Sequence, residues 1–301
     1  MRPIQSQCQS GGLFDFGRST VLVFGGVYGN IQALDALFDT AESLRIPENQ
    51  MICTGDLVAY CADPEAVVSR VHQSDILTIQ GNVEQSLATA SEDCGCGFEE
   101  NSTCDLLSAS WYAYAREVLS SDAVRWMSTL PSSFEVTIGG FSLSAVHGAP
   151  SSINKFVFPG SPEAELRGEL DLAADHGVIG GHSGLPFSSI VGGRLWHNSG
   201  ALGIPANDGT PRVWFSTVTP RAGALEVRLH SLHYDHAAAA ASIRTCGLPA
   251  VYATALETGY WPSDEIMPEI DRSRRGVPLL PNLISVPLGQ SQSCKDRRKS
   301  A

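Results

Sequence analysis

The chain has 301 residues, 43% of them apolar, which is enough to build one large hydrophobic core or two modest ones. Its net charge of −12 leaves no basic stripe for a phosphate backbone, so we expect no nucleic-acid partner. No apolar run reaches the roughly 18 residues of a membrane span, and residues 1–18 lack a signal-peptide core, so we predict a cytoplasmic protein with no membrane partner.

The first third of the chain alternates predicted strands with predicted helices. A buried strand at 21–24 precedes a helix whose apolar positions recur at helical spacing over 31–38. A second strand, 51–53, precedes a helix over 63–72, and a third strand occupies 76–79. Repeated strand–helix units predict a parallel sheet whose ligand crevice lies at the carboxyl ends of its strands.

The remaining part is richer in strands, which predicts a second sheet packed on the first. Strands are expected at 134–138, 141–146, 178–179, 188–191, 195–198, 213–216 and 224–230. Helices are expected at 106–119, 122–129, 162–175, 235–246 and 250–257. We predict one domain over 19–284, with flexible tails at 1–18 and 285–301.

Five predicted strands end in short polar motifs. These are Gly26-Val27-Tyr28-Gly29-Asn30, Gly55-Asp56, Gly81-Asn82-Val83-Glu84, His147-Gly148 and Gly181-His182-Ser183-Gly184. Each motif alone is a weak signal, because a lone His or Asn at a strand end is more often a turn residue than a ligand.

In this order and spacing, the motifs resemble the blocks of the calcineurin-like metallophosphoesterases over roughly residues 21–257. Members of that family carry Asp-x-His-Gly-Asn, Gly-Asp, Gly-Asn-His-Asp/Glu, His-Gly and Gly-His-x-His. The resemblance implies an α/β fold, a four-layer α/β/β/α sandwich of two mixed sheets flanked by helices. It also implies a metal-dependent phosphoric ester hydrolase, acting on a small phosphorylated molecule or a nucleotide.

The sequence departs from the family on one side of the two-metal site. The family's ligands of one metal correspond here to Gly26, Tyr28, Asp56 and Gly184, so three of four are missing. Its ligands of the other metal correspond to Asp56, Asn82, His147 and His182, and all four are present. This set suits a single divalent ion such as Mn, Fe or Zn. The alternative is that these four are inherited turn residues that bind nothing.

The same departures weaken the chemistry that the resemblance implies for Asp56, Asn82 and His147. Loss of one metal removes half of the charge stabilisation, and Val83 replaces an imidazole that would help the leaving group. We therefore predict weak or altered hydrolysis. The alternative is a catalytically inactive regulatory protein that binds phosphate or nucleotide.

Two further residues are weak catalytic candidates. Tyr28 could supply a phenolic donor or ligand, and Glu84 a carboxylate aimed into the crevice. The plainer interpretations, which we favour, are that Tyr28 fills the space of the lost imidazole and Glu84 is a helix-start charge. We also expect Gly26 and Gly184 to leave an open space opposite the remaining ligands, with Tyr28 leaning toward it.

A cysteine-rich insertion at about 91–105 has no counterpart in the family pattern. Together with Cys61 it brings four thiols to the predicted crevice mouth, Cys61, Cys94, Cys96 and Cys104. They could hold a zinc ion, pair as disulfides or make the protein redox-responsive, but Cys-x-Cys with one distant Cys is a loose signal. Otherwise the segment only forms a compact loop.

Overall fold

The computed structural model describes residues 10–287. Their twelve strands are β1 (Ser10–Asp15), β2 (Val21–Phe24), β3 (Met51–Cys53), β4 (Leu77–Thr78), β5 (Ser133–Ile138), β6 (Phe141–Val146), β7 (Gly177–Gly180), β8 (Pro186–Val191), β9 (Arg194–Ser199), β10 (Val213–Arg221), β11 (Ala224–Leu232) and β12 (Leu283–Pro287). They form two mixed six-stranded sheets, ordered β1-β5-β6-β7-β9-β8 and β12-β11-β10-β2-β3-β4.

Nine α-helices within the same residues accompany the two sheets and flank them. They are α1 (Ile31–Leu44), α2 (Pro64–His72), α3 (Asn82–Ala88), α4 (Thr103–Val118), α5 (Ser121–Met127), α6 (Glu163–Leu170), α7 (His236–Thr245), α8 (Ala250–Thr258) and α9 (Glu269–Arg272). None of these helices has both the length and the apolar character needed to cross a membrane.

Strand β2 shows how the layers are held together. Val21 and Val23 point into the core between the two sheets, whereas Leu22 and Phe24 join the core beneath the helices. This alternation follows from the two-residue period of a strand. A third core, between α6 and the first sheet, completes the four-layer sandwich predicted from the sequence.

The boundaries of the domain extend further than predicted. Residues 10–15, expected in the N-terminal tail, form β1, which pairs parallel to β5 at the edge of the first sheet. Strand β12 likewise runs to residue 287, inside the predicted C-terminal tail, and pairs with β11. Neither segment has marked apolar periodicity, so its order comes from pairing with a neighbouring strand. The rest of both predicted tails, 1–9 and 288–301, lies outside the described residues.

Candidate metal centre

The structure brings together the four residues expected to hold one metal. The Nε2 atom of His147 lies 3.0 Å from Asn82 Oδ1 and 3.0 Å from His182 Nδ1. It lies 3.2 Å from Asp56 Oδ2. All four side chains are buried, His182 being the most exposed at 8%.

Their meeting follows from the topology of the two sheets. Asp56 follows β3, and Asn82 begins the helix after β4, the next parallel strand of the same sheet. His147 follows β6 and His182 follows β7, which are parallel neighbours in the other sheet. The carboxyl ends of parallel strands share one edge, so the packed sheets bring these two pairs of residues to one crevice.

Hydrogen bonds outside the cluster fix which atoms face it. The Nδ1 atom of His147 lies 2.7 Å from the carbonyl oxygen of Thr54, to which it donates, so Nε2 presents its lone pair to the cluster. The amide nitrogen of Asn82 donates to the Cys94 carbonyl at 3.0 Å and contacts Cys96 Sγ at 3.3 Å. The Asn82 oxygen is therefore the atom that faces His147.

The donor set fits a divalent cation. Lone pairs of a carboxylate, an amide oxygen and two imidazoles converge in a buried site, which is unfavourable unless a cation or a proton lies between them. Ligands bound at about 2.0–2.2 Å lie roughly 3.0–3.5 Å from one another, close to the separations around His147. The Nε2 atom of His182 is also buried without a hydrogen-bond partner. Among residues 10–287, Asp56, His147 and His182 form the one group of three or more His, Cys, Asp or Glu whose ligand atoms lie within 4.8 Å of one another.

The backbone at the cluster is held in a conformation that residues with a Cβ rarely adopt. Asp56 has φ of 55° and His182 has φ of 31°, and the neighbouring Tyr28 and Tyr60 have φ of 55° and 38°. Positive φ in a non-glycine residue costs on the order of 1–3 kcal/mol and concentrates at functional sites. The strain supports a ligand-binding role for this crevice.

Binding of the metal is expected to release a proton. Burial acts to lower the pKa of His147, but the Asp56 carboxylate outweighs it and raises that pKa above its usual value. The proton at Nε2 then competes with the metal, so the apparent affinity should fall by about tenfold per pH unit below the His147 pKa. Calorimetric titration of Mn²⁺ in buffers of different ionisation enthalpy measures this release. A proton count near zero at pH 6 would contradict it.

The expected open space beside Gly26 is filled. A Cβ atom placed on Gly26 would lie 2.8–2.9 Å from the ring and hydroxyl of Tyr28. Tyr28 does lean toward the lost ligand position, as expected, but it packs against the glycine. Burial and the Asp56 charge raise the pKa of Tyr28, which disfavours a phenolate ligand. At Gly184 a Cβ would make ordinary contacts with Trp261 at 3.5 Å and with Ala201 at 3.7 Å, so this position is not filled in the same way.

Glu84 has a positioning role that the sequence did not reveal. Its buried carboxylate accepts hydrogen bonds from the backbone amides of Asp56, Leu57 and Gly81, each at 2.8 Å. Burial and the Asp56 charge raise the pKa of Glu84 to about 7. Because both oxygens accept from the Asp56 loop and the helix start, the carboxylate is not aimed at a substrate. The predicted helix-start role is correct, and the carboxylate also fixes the Asp56 loop.

The four predicted thiols do not form one metal cluster. Among the described residues, no three of them lie close enough to share an ion. The Cys61 sulfur faces the carbonyl of Gly203 at 3.7 Å, and all four thiols are free. Only Cys94 and Cys96 interact with each other, and they do so beside Asn82. The insertion therefore contacts and orients Asn82, one of the candidate ligands.

A cleft of about 670 Å³, including space open to solvent, leads to Asp56 and His182. Sequence reasoning missed most of its walls, because they come from irregular segments and from α8. Phe156, after β6, stacks on the His182 ring with centroids 4.1 Å apart. Phe98 of the insertion and Trp261 after α8 line the cleft as well.

Known proteins resemble the chain at low sequence identity. No family model matches it. The uncharacterized protein MJ0912 of Methanocaldococcus jannaschii is 22% identical over 188 residues, which cover 62% of this chain and 70% of that protein. The crystal structure of a metallophosphoesterase from Sphaerobacter thermophilus has a TM-score of 0.62 at 21% identity, covering 81% of this chain and all of that one. The hypothetical protein PH1004 from Pyrococcus horikoshii OT3 has a TM-score of 0.67 at 20% identity, covering 80% and 99% of the two chains. These likenesses establish the fold.

Proposed function

We propose that this chain, which has the fold of the calcineurin-like metallophosphoesterases, binds one divalent metal ion and hydrolyses phosphoric esters slowly. The observation that carries the proposal is the convergence of Asp56, Asn82 and His182 on the Nε2 atom of His147. The fold alone does not define an activity, so the proposal rests on this site.

The residues around the site would hold the ion rigidly. The Thr54 carbonyl sets the His147 tautomer, and the Cys94 carbonyl sets the Asn82 amide. Mn, Fe or Zn suits the mixture of oxygen and nitrogen donors. When bound, such an ion polarises a phosphoryl oxygen of the ester.

Slow turnover is expected because the chain supplies little else to the reaction. Val83 is buried and has no proton to give, and its backbone amide contacts Asp56 Oδ1 at 3.4 Å. The Tyr28 ring packs against Gly26, the position that corresponds to an Asp ligand of the second metal in the family pattern. General acid–base catalysis is typically worth about 10²–10⁴-fold in rate, which this site would lack.

The second candidate is a regulatory protein that binds a phosphorylated ligand without turnover. The buried Val83 favours it, because this position offers no proton to a leaving group while the metal site stays intact. The two candidates share the metal site and differ only in whether product forms.

The test is metal content together with turnover. Protein purified and reloaded with Mn, Fe or Zn should contain one ion per chain, with hydrolysis of an aryl phosphate monoester or diester far below that of a two-metal enzyme. One ion with no product above the metal-only background would support the regulatory alternative. Two ions per chain, or no ion, would contradict the proposed site.

A further inference from the structure

The cleft above the metal site is aromatic. Six rings line it, those of Tyr28, Tyr60, Phe98, Phe156, Tyr252 and Trp261. Three of them form a continuous wall, because Tyr60 stacks on Tyr252 at 4.9 Å and meets Tyr28 edge-on at 4.8 Å. Phe98 and Phe156 are stacked at 6.3 Å, and both are half-buried, so part of each ring faces the cleft. A flat apolar group is the natural occupant of such walls.

The charge of the cleft is low. Among the described residues that line the cleft, Asp56 is the single acidic residue and none is Lys or Arg. Histidines bind a metal ion as neutral imidazoles, so His147 and His182 would add no charge beside the ion. A divalent ion there would lie beside the Asp56 carboxylate, and the Glu84 carboxylate accepts from the Asp56 amide at 2.8 Å just behind it. The positive charge offered to a ligand is therefore small, which favours a monoanion, and the cleft lacks the cations with which proteins neutralise a polyphosphate.

We infer that this cleft takes a phosphodiester that carries an aromatic group and a single negative charge. The phosphate would lie at Asp56 and His182, and the aromatic group between the Tyr60–Tyr252 wall and Phe98. This inference rests on the proposed metal site for the phosphate and on the aromatic walls for the ring. Nucleoside monophosphates, with a dianionic phosphate and a polar sugar, match the cleft less well.

The test compares two monoanions that differ by one ring. Phenyl methyl phosphate and dimethyl phosphate are titrated calorimetrically into the Mn-loaded full-length protein, alongside adenosine monophosphate. Burial of the phenyl group should make phenyl methyl phosphate bind roughly tenfold or more tightly than dimethyl phosphate. It should also bind more tightly than adenosine monophosphate. Equal affinity for the two diesters, or a preference for the nucleotide, would overturn the inference.

Variants of Phe98 test where the phenyl group of the ligand binds. Phe98→Ala should reduce the preference for the phenyl diester by roughly fivefold, and Phe98→Leu should restore part of it. Phe38→Ala is the matched control, since Phe38 is also half-buried but packs under Arg70, outside the cleft. An unchanged preference in folded Phe98→Ala would overturn the placement of the ring.

Metal content measured on the same samples separates this inference from the proposed function. A protein that binds no metal but still prefers the phenyl diester would refute the proposed function and support the aromatic site. A protein that binds one metal ion but binds both diesters equally would support the proposed metal site and refute the aromatic site.

Discussion

Asp56→Asn should abolish high-affinity metal binding and any hydrolysis that depends on it. The substitution keeps the size of the side chain and removes the one carboxylate of the cluster, whose Oδ2 lies 3.2 Å from His147 Nε2. Asn tolerates the positive φ of 55° at this position, so the loop should survive. Removing a residue that only hydrogen-bonds to a metal ligand typically lowers metal affinity about 10–100-fold. Because Asp56 is itself a candidate ligand, we expect metal affinity to fall by at least that factor.

His147→Ala should have the same effect on metal binding through loss of the central nitrogen. Dissociation constants for Mn²⁺ and Zn²⁺, with residual hydrolysis of an aryl phosphate, measure both variants. Asp63→Asn and His230→Ala are the matched controls, since each changes a half-buried group outside the cluster. Metal-dependent hydrolysis that persists undiminished in Asp56→Asn would show that the assigned centre is wrong.

Glu84→Gln should destabilise the protein by about 2–4 kcal/mol. One carboxylate oxygen accepts from Asp56 and Gly81, and the other accepts from Leu57. Wherever the amide NH₂ of Gln is placed, it faces a backbone N–H, so at least one buried donor loses its acceptor. Chemical unfolding of the metal-free protein measures the loss.

The Glu84 substitution has a control on the protein surface. Glu42→Gln removes an exposed carboxylate of α1 and should change the free energy of unfolding by less than about 0.5 kcal/mol. A Glu84→Gln protein as stable as the Glu42→Gln protein would mean that Glu84 does not fix the Asp56 loop. Metal affinity should fall together with stability, because the loop carries a ligand.

The ligand cluster could be predicted because its motifs resemble those of the family in order and spacing and directly follow buried strands. Asp56, His147 and His182 lie one to three residues beyond β3, β6 and β7, and strand ends of packed sheets must meet at an edge. Most elements and the presence of two packed sheets followed from the alternation of apolar runs and turns, whereas the four-layer arrangement was implied by the family resemblance. Strand β1 could not be predicted in this way, because it is ordered by pairing with β5, which lies more than 100 residues further along the chain.

The residues that line the cleft could not be predicted from the sequence for a related reason. Phe98, Phe156 and Trp261 belong to segments without periodic structure, whose positions depend on tertiary contacts. The role of Glu84 could not be predicted, because a carboxylate at the start of a helix is common. The additional backbone N–H groups that donate to Glu84 belong to the Asp56 loop, which is distant in sequence. The thiol cluster was suggested by residue type, whereas the structure turns Cys61 toward Gly203.

The packing of Tyr28 against Gly26 constrains how this chain could regain a second metal. An Asp at position 26 would collide with the Tyr28 ring, since its Cβ alone would lie 2.8 Å from a ring carbon. A His at position 28 alone would leave a void in a buried site and gain no partner. The two changes are therefore coupled, each costly without the other. A second metal site would therefore need matched changes at positions 26 and 28, together with a ligand at Gly184, and no single substitution would create it.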